Sequence, residues 1–342
     1  MTELLRPKTV ILRLAAALVV LVAVMFVCSL IGTEKVSLTR ALAGPGRTTI
    51  NPDYEIFVRI RIPRILLGAI AGAALAASGT TFQALLRNPL ADPYILGISS
   101  GAGLGAMIAV ISGVTWTLFG RPPIAVFAFA GALGTVWLVW LIGKQTGKFH
   151  LTGLLLAGVV INASFSAVIM FLTSLAKSDQ VYSTIFWLMG NLTEEDFIVL
   201  WTAGGCAIAG IVGLFFLGPG LNALTFGDED ARSLGVNTPR IRTAAFAIAA
   251  FMTAVAVSIG GLIGFVGLIV PHAVRLVVGP DHRQLIPLSA LVGAMFLIAA
   301  DTLARTVVAP AQLPVGVVTA IAGGPLFLLL LLKYSRSVGY IK

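Results

Sequence analysis

Apolar residues dominate ten windows of the chain, at about residues 10–31, 62–85, 93–112, 122–143, 152–175, 196–217, 241–259, 264–278, 284–308 and 314–332. Polar residues are largely confined to the connections between them. These windows are too uniformly apolar for half-buried soluble helices, whose polar face would return every turn. Roughly 20 such residues in a helix cross the ~30 Å hydrocarbon layer of a bilayer. The pattern therefore predicts an all-α polytopic membrane protein of about ten transmembrane helices, one domain over residues 1–342. The first window follows Arg6, Lys8 and Arg13 and has the outline of a secretory leader, but its length and the lack of a small-residue cleavage site predict a retained helix.

Two windows break the regular pattern. The run Ser258-Ile-Gly-Gly-Leu-Ile-Gly-Phe-Val-Gly-Leu-Ile-Val-Pro271 crowds four glycines and a proline together, which predicts a broken or short helix supported by neighbouring protein, since lipid offers its backbone no partners. In Asn88-Pro-Leu-Ala-Asp-Pro93, two prolines force a break between the second and third spans. Glycines recur four apart at Gly68 and Gly72, at Gly97, Gly101 and Gly105, and at Gly260 and Gly264, a spacing that predicts close helix packing. A faint echo between Ser99-Ser-Gly-Ala-Gly-Leu-Gly-Ala-Met107 and Ser289-Ala-Leu-Val-Gly-Ala-Met295 is compatible with inverted repeats.

Composition narrows the class. The chain is 58% hydrophobic and 11% charged, against about 25% charged in soluble domains, and ten spans leave no room for a soluble catalytic domain. The net charge of +9 is scattered singly, which speaks for membrane orientation rather than nucleic acid. With the N-terminus inside, 14 of the 23 Lys and Arg residues fall on the cytoplasmic side, and six of the other nine lie in one stretch, 32–64. Cys28 and Cys206 lack CxxC spacing, the three histidines are unclustered, and no HExxH motif occurs, so no metal site is expected. No GxxxxGK[ST] loop is present, and Gly101-Ala-Gly-Leu-Gly105 follows no strand. Any ATP, with its Mg, must be bound by another subunit.

The most informative polar segment, about 221–242, lies in a predicted cytoplasmic connection. Asp228, Glu229 and Asp230 precede Ala-Arg232-Ser-Leu, with Gly227 before and Gly235 after: acids at the positive end of a short helix and a glycine stop. Such a helix can be an ordinary solvated connector or dock into a soluble partner's groove. On the outer side, Arg59, Arg61 and Arg64 precede the second span, suited to lipid headgroups or to carboxylates of a partner.

Several segments resemble the iron-chelate and cobalamin permease family of ABC importers. They are Arg61-Ile-Pro-Arg64, Gly72-Ala-Ala-Leu-Ala-Ala-Ser-Gly79, Phe82-Gln-Ala-Leu-Leu-Arg-Asn-Pro-Leu-Ala-Asp-Pro93, Leu154-Leu-Leu-Ala-Gly-Val159, Trp187-Leu-Met-Gly190, 227–235, 264–272, Gly279-Pro-Asp-His282 and 313–320, in order along the chain. The resemblance implies a type II importer permease fold and a homodimer of ten-helix subunits. It also implies two ATP-binding cassette ATPase subunits below and a substrate-binding protein outside, in a bacterial inner membrane with both termini cytoplasmic. It assigns ATPase coupling to Gly227, Asp228, Glu229, Asp230, Arg232 and Gly235. Docking of the binding protein falls to Arg61, Arg64 and Arg305, the last also four residues after Asp301 and able to pair with it. It places an inner gate near Asn88, Leu90, Leu151 and Thr152, with Leu151 standing where a second hydroxyl residue is expected. An iron chelate leads as cargo, with cobalamin or haem as alternatives.

Two other classes compete. An ion-coupled secondary transporter needs ionisable groups deep in the bilayer, and of 14 acids only Asp301 lies clearly inside a span. A membrane-embedded enzyme would need a nucleophile and base or a metal cluster, and none is spaced for it.

Overall fold

A computed structural model describes residues 7–45, 51–114, 123–145, 151–193 and 197–337. They form α1 (Pro7–Leu30), α2 (Leu38–Leu42), α3 (Pro52–Tyr54), α4 (Ile62–Leu85), α5 (Ile98–Ser112), α6 (Pro123–Gln145), α7 (Leu151–Leu175), α8 (Ser178–Leu188), α9 (Phe197–Phe226), α10 (Asp228–Ser233), α11 (Thr238–Gly260), α12 (Val266–Val278), α13 (His282–Thr306) and α14 (Val315–Ser337). A π turn, Glu55–Arg61, joins α3 to α4, and a 3-10 turn, Pro93–Leu96, precedes α5. No strand occurs among the described residues.

Each of the ten apolar windows holds a helix. Among the described residues, seven helices are long and apolar enough to cross a membrane, and three shorter apolar helices, Ile98–Ser112, Val266–Val278 and Val315–Leu329, fill the remaining windows. Two boundaries and two short helices, α2 and α8, differ from the sequence reading. The second crossing starts upstream, at Pro52, because the π turn continues the helix. The sixth runs on through Pro219 to Phe226, so Leu221–Phe226 are wall of the bundle and not connector. The short α8 was not anticipated, being too brief and too polar to register as an apolar window.

At the centre lies α4, packed by α13, α11, α9 and α12, while α5, α6 and α7 form a neighbouring layer and α1 lies outside against α13. Lipid tails are as apolar as leucine, so these contacts depend on close van der Waals approach. The glycines supply it: a Cβ at Gly72 would overlap the Gly293 carbonyl, one at Gly79 the Gly267 carbonyl, and one at Gly105 the Phe127 carbonyl. Gly105 and Gly293 are the matching glycines of the two echoing segments, so the echo is shared packing chemistry. Gly260 and Gly264 do not share a helix face, because α11 ends at Gly260 and Gly264 lies in the irregular segment that follows.

The predicted break falls at 261–265, between α11 and α12. Its backbone is satisfied by protein, as an apolar surround requires. The Tyr94 hydroxyl accepts from Ile263 N and donates to Ile263 O, both at 3.1 Å. Asn191 N donates to the Gly260 carbonyl at 2.9 Å, so the α8–α9 connection closes one side of the break.

Candidate functional site

The polar chemistry gathers at the two ends of the bundle. At one end α9 stops at Gly227, whose φ of +137° suits glycine, and α10 turns away as a single short helix. Gly235, at φ +79°, ends the turn that follows. The short helix with acids first and a glycine stop is present as the spacing predicted. Its Ala231 is buried, while Glu229, Asp230, Arg232, Ser233 and Leu234 face outward. Two large apolar side chains flank it in the open, Phe226 at 75% and Leu234 at 70% exposure.

Asp228 differs from its neighbours. It accepts from Arg242 Nη1 at 3.1 Å and Nη2 at 2.7 Å, and it also pairs with Arg87, whose Nε donates to the Leu224 carbonyl. Burial opposes its charge, yet the Arg242 hydrogen bonds and the Arg87 charge outweigh that and hold its carboxyl below the usual carboxylate range. Asp228 is thus a clasp that fixes α10 to α11 and to the end of α4, rather than a free contact residue. The sequence reading missed Arg87 and Arg242 because one lies 141 and the other 14 positions from their partner. The only hint was a lone Arg beside the Asn88-Pro break.

Of the gate residues, Asn88 is exposed and its Oδ1 accepts from Leu90 N at 2.9 Å, stabilising the turn that carries a half-buried Leu90. Leu151 and Thr152 open α7, and their side chains lie outside the described residues. A second clasp stands nearby: Asp281 caps α13 by accepting from Arg283 N, pairs with Arg283 Nη2 at 2.6 Å, and accepts from Asn222 Nδ2 on α9 at 2.8 Å. Burial works against its charge, but the hydrogen bonds from Arg283 and Asn222 prevail and pull it down to about 2.

At the opposite end the three docking candidates are brought together but turned inward. Arg61, 3% exposed, donates to the carbonyls of Ser29 at 3.0 Å and Leu30 at 3.2 Å, and to that of Glu34. It thereby satisfies the free carbonyls ending α1, where a cation also suits the helix dipole. Gly32 makes room, since a Cβ there would overlap the guanidinium. Arg64 grips Asp301 through Nε and Nη2 at 2.9–3.1 Å and donates to Gln312 Oε1 at 3.0 Å. Arg305 Nε lies 3.1 Å from the same carboxylate, so the pairing expected from the four-residue spacing is present. In the single chain all three are buried, because the carbonyls ending α1 and the Asp301 carboxylate take their hydrogen bonds. The exposed cations among the described residues of this end include Lys35 and also Arg59 and Arg40, which pair loosely with Glu55 and Asp53.

Residues 19–333 match the FecCD transport family model. The chain is 44% identical over 296 residues to the cobalamin import system permease protein BtuC of Halobacterium salinarum, covering 86% of this chain and 78% of that one. It is 40% identical over 292 residues to the hemin transport system permease protein HmuU of Yersinia pestis, covering 84% and 86%. Among solved structures, an inward-facing metal-chelate type ABC transporter superposes with a TM-score of 0.83 at 30% identity, over 96% of this chain and all of that one.

Proposed function

The chain belongs to the FecCD transport family, and on that premise we propose that it is the membrane subunit of an ATP-driven importer of metal chelates, with an iron chelate as first cargo and cobalamin as its rival. The observation that carries the reading is α10: a short helix clasped to the bundle through Asp228, presenting Glu229, Asp230, Arg232 and Leu234 outward. A chain without a phosphate-binding loop needs such a mechanical contact, through which closure of two ATPase subunits holding ATP and Mg can bias its helices. Hydrolysis then belongs to those subunits and not to this chain. The α10 end faces the cytoplasm, with both termini, in a bacterial inner membrane.

At the other end, two guanidinium groups share the single Asp301 carboxylate, and Arg61 adds a third positive charge against backbone carbonyls. That surplus supports docking of an acidic substrate-binding protein, with Arg61, Arg64 and Arg305 supplying field and Arg59 the direct contact. A homodimer is supported by α7 and α14, whose exposed faces carry the small residues Ala163, Ser164 and Ala167 and Ala320, Ala322 and Gly324. Open space lies over Gly324, where a second subunit can approach closely.

The test is uptake of labelled ferric siderophore, haem and cobalamin into proteoliposomes holding this chain with its ATPase and binding protein. Uptake of one cargo only with MgATP in the ATPase compartment is expected. Uptake that ignores ATP and follows an imposed ion gradient would overturn the importer reading.

A further inference from the structure

A cavity of about 310 Å³ opens at the α10 end, between the last turn of α4, the end of α12 and the first residue of α13. Gln83, Arg87, Arg275, Leu276 and His282 line it. Two of these are buried, Gln83 and His282, each 2% exposed, and each keeps one buried polar atom without a partner in the cavity wall. Gln83 Nε2 donates to the Leu268 carbonyl at 3.1 Å, which leaves Oε1 as a lone acceptor. Asn222 Nδ2 donates to Asp281, so Asn222 Oδ1 must accept from His282 Nδ1, 2.6 Å away. That places the ring hydrogen on Nδ1 and leaves Nε2 a second lone acceptor.

The charge in the cavity has the opposite demand. Arg275 is half-buried and its guanidinium forms no ion pair or hydrogen bond with any described residue, and Arg87 has Nε and Nη2 engaged but Nη1 open. Buried acceptors require donors, and a desolvated guanidinium requires an anion. One small group meets both demands: a phosphate ester that also carries free hydroxyls. The rim is apolar, with Leu276 58% and the adjacent Val277 81% exposed, a shoulder suited to an acyl chain.

We propose that this cavity binds a glycerophosphate-type ester. Its phosphate sits on Arg275 and Arg87, and its hydroxyls donate to Gln83 Oε1 and His282 Nε2. The group is supplied by the headgroup of a phosphatidylglycerol-type lipid or by soluble glycerol phosphate, and it sits against the connection between α12 and α13 whatever the cargo is.

Native mass spectrometry of the full chain in detergent, offered phosphatidylglycerol, phosphatidylmethanol and phosphatidylcholine, tests it, with calorimetry of glycerol 3-phosphate alongside. Phosphatidylglycerol is expected to be retained over phosphatidylmethanol, which has the same charge and no hydroxyls, by about fivefold for each hydrogen bond lost. R275Q, which removes no contact made within the described residues, is expected to keep the thermal midpoint and to lower retention about tenfold or more, as loss of a charge-assisted bond would. Binding of glycerol 3-phosphate in competition with the lipid supports the site and names the soluble source; lipid retention alone names the membrane source. Equal retention of all three lipids with no glycerol phosphate binding, as for a cavity holding only water, overturns the proposal. Equal retention of phosphatidylglycerol and phosphatidylmethanol overturns the roles of Gln83 and His282.

Discussion

Asp228 shows how one carboxylate divides labour with its neighbours. Its partner Arg242 is buried, so D228N leaves a desolvated cation without its counter-charge, whereas E229Q and R232Q alter exposed side chains and lose at most the long 3.3 Å Arg232–Thr238 hydrogen bond. With Asp228 itself partly exposed, the expected cost of D228N is about 1–2 kcal/mol, less than for a fully buried pair. Thermal melts in detergent should separate the variants: D228N lowers the midpoint, and E229Q with R232Q leaves it unchanged while uncoupling uptake from ATP hydrolysis. Full uptake in the E229Q/R232Q double variant would remove α10 from the coupling path. Asp281 gives the pH counterpart. Its folded value near 2 lies below the ordinary carboxylate value of about 4, so its clasp stabilises the protein above that ordinary value and the contribution fades as pH falls towards 2. D281N should flatten the acid limb of stability over that window, and an unchanged limb would mean the clasp carries no stability.

At the scale of elements, Ile263 in the break between α11 and α12 is held by a phenol from the turn before α5, while Asn191 closes the α11 end. Y94F removes a hydroxyl that both donates to and accepts from Ile263, leaving a backbone N–H and C=O without partners, at a cost of about 1–3 kcal/mol per group. Amide exchange at 261–265 is expected to accelerate while that of α4 stays slow. Uniform acceleration would show that the phenol supports the whole fold and not the break. The same break shows why periodicity alone misplaced Gly264. Four-residue spacing predicts a shared face only where the helix continues, and φ of +67° at Gly261 and +69° at Phe265 end it.

Over the whole molecule, charge is sorted to the two ends, and the central helix α4 connects them, with Arg64 at its start and Gln83 and Arg87 at its finish. Asp301, which singled itself out as the acid within a span, is held by two arginines, so its placement speaks for structure rather than ion coupling. D301N would strand two buried guanidinium groups and is expected to abolish the folded protein or lower its midpoint steeply. If the proposed docking holds, R59E should weaken binding-protein affinity several-fold at low salt and less at high salt, where Debye screening shortens the reach of the field. An affinity indifferent to R59E would move the docking surface elsewhere.

Ten apolar windows, the broken crossing, the α10 helix and the Asp301–Arg305 pair were legible along the chain, because hydropathy, glycine and proline content and four-residue spacing are local quantities. The clasps of Asp228 by Arg87, of Asp301 by Arg64 and of Ile263 by Tyr94 were not, since each joins residues far apart in sequence and depends on which helix ends pack together. For the same reason Arg61, Arg64 and Arg305 read as a surface cluster and are buried. A guanidinium in a chain listing carries no sign of whether solvent, a partner or a neighbouring helix's free carbonyls will accept its hydrogen bonds, and here the packing of α1 and α13 on α4 supplied those acceptors first.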